Sequence, residues 1–236
     1  MVIPILTYHK IGTPEKNTRI KGLYTSEWHL KMQIFLLKKF GYEFIFFKDI
    51  LLGNIPRKPI LLTFDDGHRD NYLKGFNVIK KQNIKITIFI VTGDIGKKDI
   101  VWQNSAEKQP TEIFSWQEAK EMLQSELVDI QSHGMSHLYL NKINKKSLKF
   151  ELEKPFELFK SNLGYYPIAI AYPYGGFNET VCNLSEEIGY KFGCTTDSGL
   201  NDLDDLDKFK LKRISVKGYK FIHFLKFFIK CIRNFK

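Results

Sequence analysis

The chain has 236 residues, 43% hydrophobic and 26% charged, which is enough apolar matter for a sizeable core and excludes a disordered or collagen-like chain. Its 36 Lys and Arg against 26 Asp and Glu leave a net charge of +10, which attracts polyanions such as nucleic acid, anionic lipid or acidic glycan without choosing among them. No run of uncharged apolar residues reaches the roughly 18 that a membrane-spanning helix requires.

The opening segment, MVIPILTYHKIG, lacks a basic stretch before its apolar run and a small-residue cleavage site, so it reads as a buried strand rather than a signal peptide. Further strands are expected at 44–46, 60–64, 86–91, 127–131, 168–171, 191–195 and 211–215, with the first at 3–7. They are short, β-branched or aromatic, and several lack polar alternation, as strands covered by helices on both faces do. Helices are expected at 27–40, 71–81, 116–124, 147–163, 179–188 and 219–235. Ser115 with Glu118 forms a capping box, and Gly41, Gly164 and Gly189 stand where a left-handed residue would end a helix. Pro155 predicts a kink or a break in its helix. The stretch 93–114 reads as a long irregular connection and 201–208 (NDLDDLDK) as an acidic surface loop. Repeated β-then-α units without a flexible linker imply one closed or nearly closed α/β domain over 1–218, followed by a basic segment at 219–236. Three widely spaced cysteines (Cys182, Cys194, Cys231) offer neither a disulfide framework nor a zinc-knuckle spacing, which fits a reducing, cytoplasmic compartment.

Three segments carry chemistry, each directly after an apolar strand, where α/β folds place their active sites. The first is TFDDG at 63–67. Its adjacent carboxylates Asp65 and Asp66 repel unless a cation or a shared proton relieves them, although a helix N-cap with a spare acid accounts for the pair as well. The second is SHGMSH at 132–137, whose His133 and His137 are spaced to converge on one ion or to stand as two surface imidazoles. The third is AYPYG at 171–175, which by itself is an ordinary Pro-Gly turn. Together, one Asp and two His make a three-ligand site with a position left for water, and the second Asp is free to take that water's proton.

In these three segments, with weaker support from ILTYH, ITIFIVTGDIG at 86–96 and LKRISV at 211–216, the sequence resembles the polysaccharide deacetylase family, the NodB-homology domain of carbohydrate esterase family 4. The similarity runs from about residue 2 to 216. It implies a distorted (β/α) barrel of about seven parallel strands and a divalent metal, Zn²⁺ in most members. By the same resemblance, Asp65 is the general base, Asp66, His133 and His137 are metal ligands, and the Tyr174 backbone amide helps to stabilise an oxyanion.

Two family features are missing. The arginine that usually opens the third motif and orients the base is replaced by Ala171. Arg213 in LKRISV either supplies that charge from a neighbouring strand end or is a solvated strand-edge cation. The usual late Leu-x-His motif, source of the general acid, is not recognisable. His9, His68 and His223 are the candidates, and His9 is preferred because it follows a strand with Tyr8 beside it.

In the last segment, His223, Lys226, Lys230 and Arg233 form a polar stripe on an otherwise apolar helix pattern. That pattern suits either a final barrel helix or peripheral contact with an anionic membrane. The leading expectation is therefore a metal-dependent N-deacetylase acting on an N-acetylated glycan of the surface or its lipid-linked precursor. The alternatives are a deformylase or cyclic-amide hydrolase with the same site, or a silent carbohydrate-binding module. No nucleic-acid-binding motif is present, and the basic residues are dispersed.

Overall fold

The computed structural model describes residues 1–218 together with 220 and 222. Apart from 220 and 222, the helix expected at 219–235 lies outside the described residues, as does its basic stripe.

The central sheet is built from β2 (Ile5–Tyr8), β6 (Pro59–Phe64), β7 (Ile86–Ile90), β8 (Val128–Ser132), β9 (Ala169–Ala171), β10 (Phe192–Cys194) and β12 (Ile214–Ser215), in the spatial order β10-β9-β8-β7-β6-β2-β12. β5 (Glu43–Phe44) flanks the start of β6, and every pairing in this sheet is parallel. The segment 211–215 joins the two sheet edges. Leu211 bridges to Cys194 on one side, while Ile214 pairs with Leu6 on the other. The result is a curled, distorted barrel.

Period-2 alternation divides the strand side chains between two cores. Leu6, Tyr8, Leu62, Phe64, Ile88, Ile90 and Ile130 point outward. They pack against α1 (Glu27–Lys39), α3 (Phe76–Gln82), α4 (Trp116–Leu123) and α5 (Lys145–Leu163). Ile5, Leu61, Phe89, Ala169, Ala171, Phe192 and Leu211 fill the interior with Phe47 of the short helix α2 (Phe47–Leu51). A third cluster sits between α5 and α6 (Glu179–Ile188).

Among the described residues the expected strands and helices are present within a few residues at each end, with five differences, the first being α2, which follows β5 where no helix was expected. Residues 71–81 split into a wide turn at Asn71–Gly75, where the Asn71 side-chain amide donates to the His9 carbonyl (2.7 Å), and α3. α5 starts at Lys145, capped by Asn144, and runs unbroken through buried Pro155, so the expected break does not occur. The acidic stretch 201–208 opens with an edge strand, β11 (Asn201–Asp202), antiparallel to β1 (Val2–Ile3), and Asp202 and Asp204 pair with the N-terminal ammonium. Finally, β3 (Lys10–Ile11) pairs with β4 (Tyr24–Thr25) to tie the loop after β2 to α1. The Ser115–Glu118 capping box and the irregular path of 93–114 are as expected.

Candidate active site

All three motifs open into one cavity of about 250 Å³ at the C-terminal ends of the strands. Its floor begins with β6. Leu61 and Thr63 face the barrel interior, and Asp65 continues that alternation one residue past the strand, its N–H donating to the Tyr8 carbonyl (2.9 Å). The chain then turns through two left-handed residues, Asp66 (φ 78°) and Gly67 (φ 79°). A side chain at Gly67 would press on Ile90 at 3.1 Å. The turn brings both carboxylates into the cavity, where Asp65 is 3% and Asp66 5% exposed.

The two acids are neutralised differently. Arg213, itself 3% exposed, donates from both guanidinium nitrogens to the two oxygens of Asp65 (2.7 and 2.8 Å), and its Nε donates to the Thr195 carbonyl (2.9 Å). Its guanidinium lies over the Phe89 ring at 5.7 Å. This bidentate geometry gives strength and direction together. Burial raises the Asp65 carboxyl, but Arg213, with help from His133 and His9, outweighs it and holds the group below its ordinary pKa. Of the two sequence readings, Arg213 is thus a buried counter-charge and not a solvated cation.

Asp66 sits among imidazoles. His133 extends β8, its N–H donating to the Ile90 carbonyl (2.8 Å), and its Nδ1 lies 2.7 Å from the Ala171 carbonyl. A carbonyl can only accept, so Nδ1 carries the proton and Nε2 presents its lone pair. That Nε2 is 3.3 Å from Asp66 Oδ1, and His137 Nε2 is 3.2 Å from the same oxygen. His137 Nδ1 is engaged by the Tyr174 hydroxyl at 2.9 Å. The three ligand atoms lie within 4.8 Å of one another. Lone pairs facing a carboxylate at this range repel unless a proton or a cation lies between them, and a divalent ion satisfies all three at once. The donor set therefore fits a metal.

His68 holds the other carboxylate oxygen, with Nε2 donating to Asp66 Oδ2 (3.0 Å) and Nδ1 paired with the Thr111 hydroxyl (2.7 Å). That leaves Oδ1 for an ion, the outer-shell support metal ligands usually have. Burial raises the Asp66 carboxyl, but when protons and not a cation lie between it and His133 and His137, these two with His68 outweigh burial and hold it well below its usual range. For His137, burial outweighs Asp66 and lowers the imidazole.

The third motif follows β9. Tyr174 takes a left-handed conformation (φ 57°), stacks on Tyr139 (centroids 4.5 Å apart) and is followed by Gly175 (φ 69°), where any side chain would collide with Thr196. Asp66, His137 (φ 55°) and Tyr174 are three of six non-glycine residues with positive φ among the described residues, and backbone strain of this kind gathers at functional sites. His9 stands half-buried on the cavity wall, its imidazole lowered by burial more than Asp66 and Asp65 raise it. His68 is committed on both nitrogens. His223 lies outside the described residues.

The rim comes from 93–114. The Trp102 ring lies 4.2 Å from that of His137, with its Nε1 donating to Asp94 (2.8 Å). Buried Glu107 accepts backbone N–H groups from Ile20 (2.8 Å), Lys108 (3.0 Å) and Gln109 (2.9 Å), joining this loop to the one after β3. Reading the sequence identified none of Trp102, Glu107, Thr111 or Tyr139. The one signal was the length of the 93–114 connection.

A family model described as polysaccharide deacetylase matches residues 53–193. A Bacillus subtilis relative, YxkH, is 31% identical over 219 residues, covering 91% of this chain and 71% of its own. A Staphylococcus aureus poly-beta-1,6-N-acetyl-D-glucosamine N-deacetylase is 26% identical, covering 88% and 72%. Among solved structures, the Streptococcus pyogenes deacetylase PplD in complex with acetate superposes with a TM-score of 0.78 at 26% identity, covering 93% of this chain and 94% of that one. By fold, by motif order and by these matches, the chain belongs to the polysaccharide deacetylase family of hydrolases.

Proposed function

We propose that the protein is a metal-dependent N-deacetylase that removes acetyl groups from a sugar of a surface polysaccharide or a lipid-linked glycan precursor. The observation that carries this reading is the juxtaposition of Asp65, clamped by Arg213, with the Asp66, His133 and His137 cluster. Asp66, His133 and His137 would hold the ion, which we take to be Zn²⁺. Such an ion polarises an acyl carbonyl and acidifies a water. Asp65 takes the proton of the attacking water, since the Arg213 clamp keeps it ionised while leaving a second lone pair on each oxygen. The Tyr174 amide meets the charge that develops on the carbonyl oxygen. His9 is the side chain on the cavity wall that we assign to protonating the departing amine. The water's oxygen goes to the acyl carbon, the C–N bond breaks, and a free amine and acetate result.

The printed substrate of the Staphylococcus aureus relative, an N-acetylglucosamine polymer, supports an acetylated glycan here. The cavity is smaller than the roughly 300–1,000 Å³ of sites that enclose a whole ligand, which suits one sugar of a longer chain. Among the described residues no helix is long and apolar enough to cross a membrane. We place the enzyme at a cytoplasmic membrane face on its +10 charge, and co-sedimentation with anionic vesicles, with and without residues 229–236, tests this. The catalytic reading is tested by acetate release from acetylated glucosamine oligomers with zinc-loaded protein. Asp65→Asn should keep the metal and lose release. Formate release from N-formyl substrates alone, or no release and no bound metal, would replace this reading with the deformylase or the silent module.

A further inference from the structure

One charged group on the cavity wall makes no direct ion pair with the site described above. Asp65 is neutralised by Arg213, Asp66 faces three imidazoles, and Glu107 is satisfied by backbone amides. Lys10 also lines the cavity and is only 6% exposed. Its register partner across the β3–β4 pair is Tyr24, and its Nζ stands over the Tyr24 ring at 5.5 Å. Among the described residues no carboxylate lies within ion-pair reach of this ammonium and no acceptor hydrogen-bonds it. The nearby Asp70 carboxylate, whose Oδ1 accepts from the Ile11 N–H (2.9 Å) and the Asn71 amide (2.9 Å), acts on Lys10 through space and not by contact.

A desolvated ammonium resting on one aromatic face is only partly compensated, because a cation–π contact is weaker than the hydration it replaces. A lysine in such a place is stabilised most by an anion that enters with the ligand. A sugar hydroxyl would accept a hydrogen bond from the ammonium but bring no counter-charge, so it would offset less. We propose that Lys10 is a specificity-determining residue that binds an anionic group, phosphate or carboxylate, carried by the glycan within the same cavity. The preferred substrate is then an acidic glycan or a sugar phosphate rather than a neutral homopolymer. This rests on the deacetylase reading for its glycan, but not for its charge.

The test separates the two. Binding of N-acetylglucosamine 1-phosphate, N-acetylglucosaminuronic acid and neutral N-acetylglucosamine is measured by calorimetry on wild type, Lys10→Met and Lys10→Arg, with acetate release from both anionic sugars and from the neutral oligomer recorded in parallel. Wild type should bind at least one of the anionic sugars about 10- to 100-fold more tightly than the neutral one, the worth of one charge-assisted contact. The phosphate and carboxylate arms identify which anion is preferred. Lys10→Met should lose that preference with its melting temperature unchanged, and Lys10→Arg should retain most of it. Equal affinities in wild type, or a preference that survives in Lys10→Met, would overturn the proposal. If Lys10→Met does not fold, loss of preference in Lys10→Gln decides instead. Failure of acetate release from the anionic sugars as well as the neutral oligomer would count against the deacetylase reading alone, because the binding ratio does not depend on turnover.

Discussion

The floor and the rim of the cavity are built on different terms. The floor consists of strand ends, where Asp65, His133 and Arg213 are fixed by backbone ladders and charge-assisted hydrogen bonds inside a packed barrel. The rim consists of two loops with only short 3-10 turns and isolated bridges, stitched by Glu107 and roofed by Trp102. A floor of this kind governs turnover and folding together, whereas a rim selects and retains the ligand at little risk to the fold.

The sharpest way to break that contrast is through the buried pair. Arg213→Met leaves Asp65 without its counter-charge and should cost about 3–5 kcal/mol in urea unfolding, with turnover falling about 10²–10⁴-fold. Adding Asp65→Asn should restore most of the stability and none of the turnover. Equal instability in the single and double variants would show that the pair acts through packing alone. Next in size, His133→Ala should abolish binding of the metal by dialysed protein, measured by elemental analysis. Tyr174→Phe, which removes only the hydroxyl on His137, should weaken metal affinity about 10- to 100-fold. On the rim, Trp102→Ala should raise KM several-fold with kcat within about twofold. A fall in kcat instead would move Trp102 into the floor's class.

The smallest effect concerns pH. Burial raises the Glu107 carboxyl, but the backbone N–H groups of Ile20, Gln109, Lys108 and Arg19 outweigh it, so the folded value lies below the ordinary one. A depressed acid adds stability above its unfolded pKa of about 4.3 and loses it as pH falls through the folded value. Wild type should therefore melt above Glu107→Gln at pH 6, with the gap closing on acidification below about pH 4. A constant gap would remove the charge from the explanation.

Much of the floor was legible because its signals are local. A buried apolar strand followed by Asp65-Asp66-Gly67, and two histidines four apart around Gly134, state their own geometry. Arg213 was legible only as one of two alternatives, because its partner lies 148 residues away and is reached only when 211–215 spans both sheet edges. Pro155 misled because tertiary packing overrides a local helix penalty, the residue being buried within α5. Nor could the loop 93–114 be read, since stacking of Trp102 on His137 depends on a path that no periodicity encodes.

The closing segment 211–215 also sets an order of events during synthesis. The ribosome delivers Asp65, then Asp66, His133 and His137, well before residue 213 emerges, so a partly made chain already carries the clustered Asp and His groups while the counter-charge of Asp65 is still missing. A nascent or prematurely terminated product lacking Arg213 would bury an uncompensated carboxylate, which favours its staying open and being degraded over its acting on glycan. The counter-charge of Asp65 thus arrives only with β12, the strand that closes the sheet against β2.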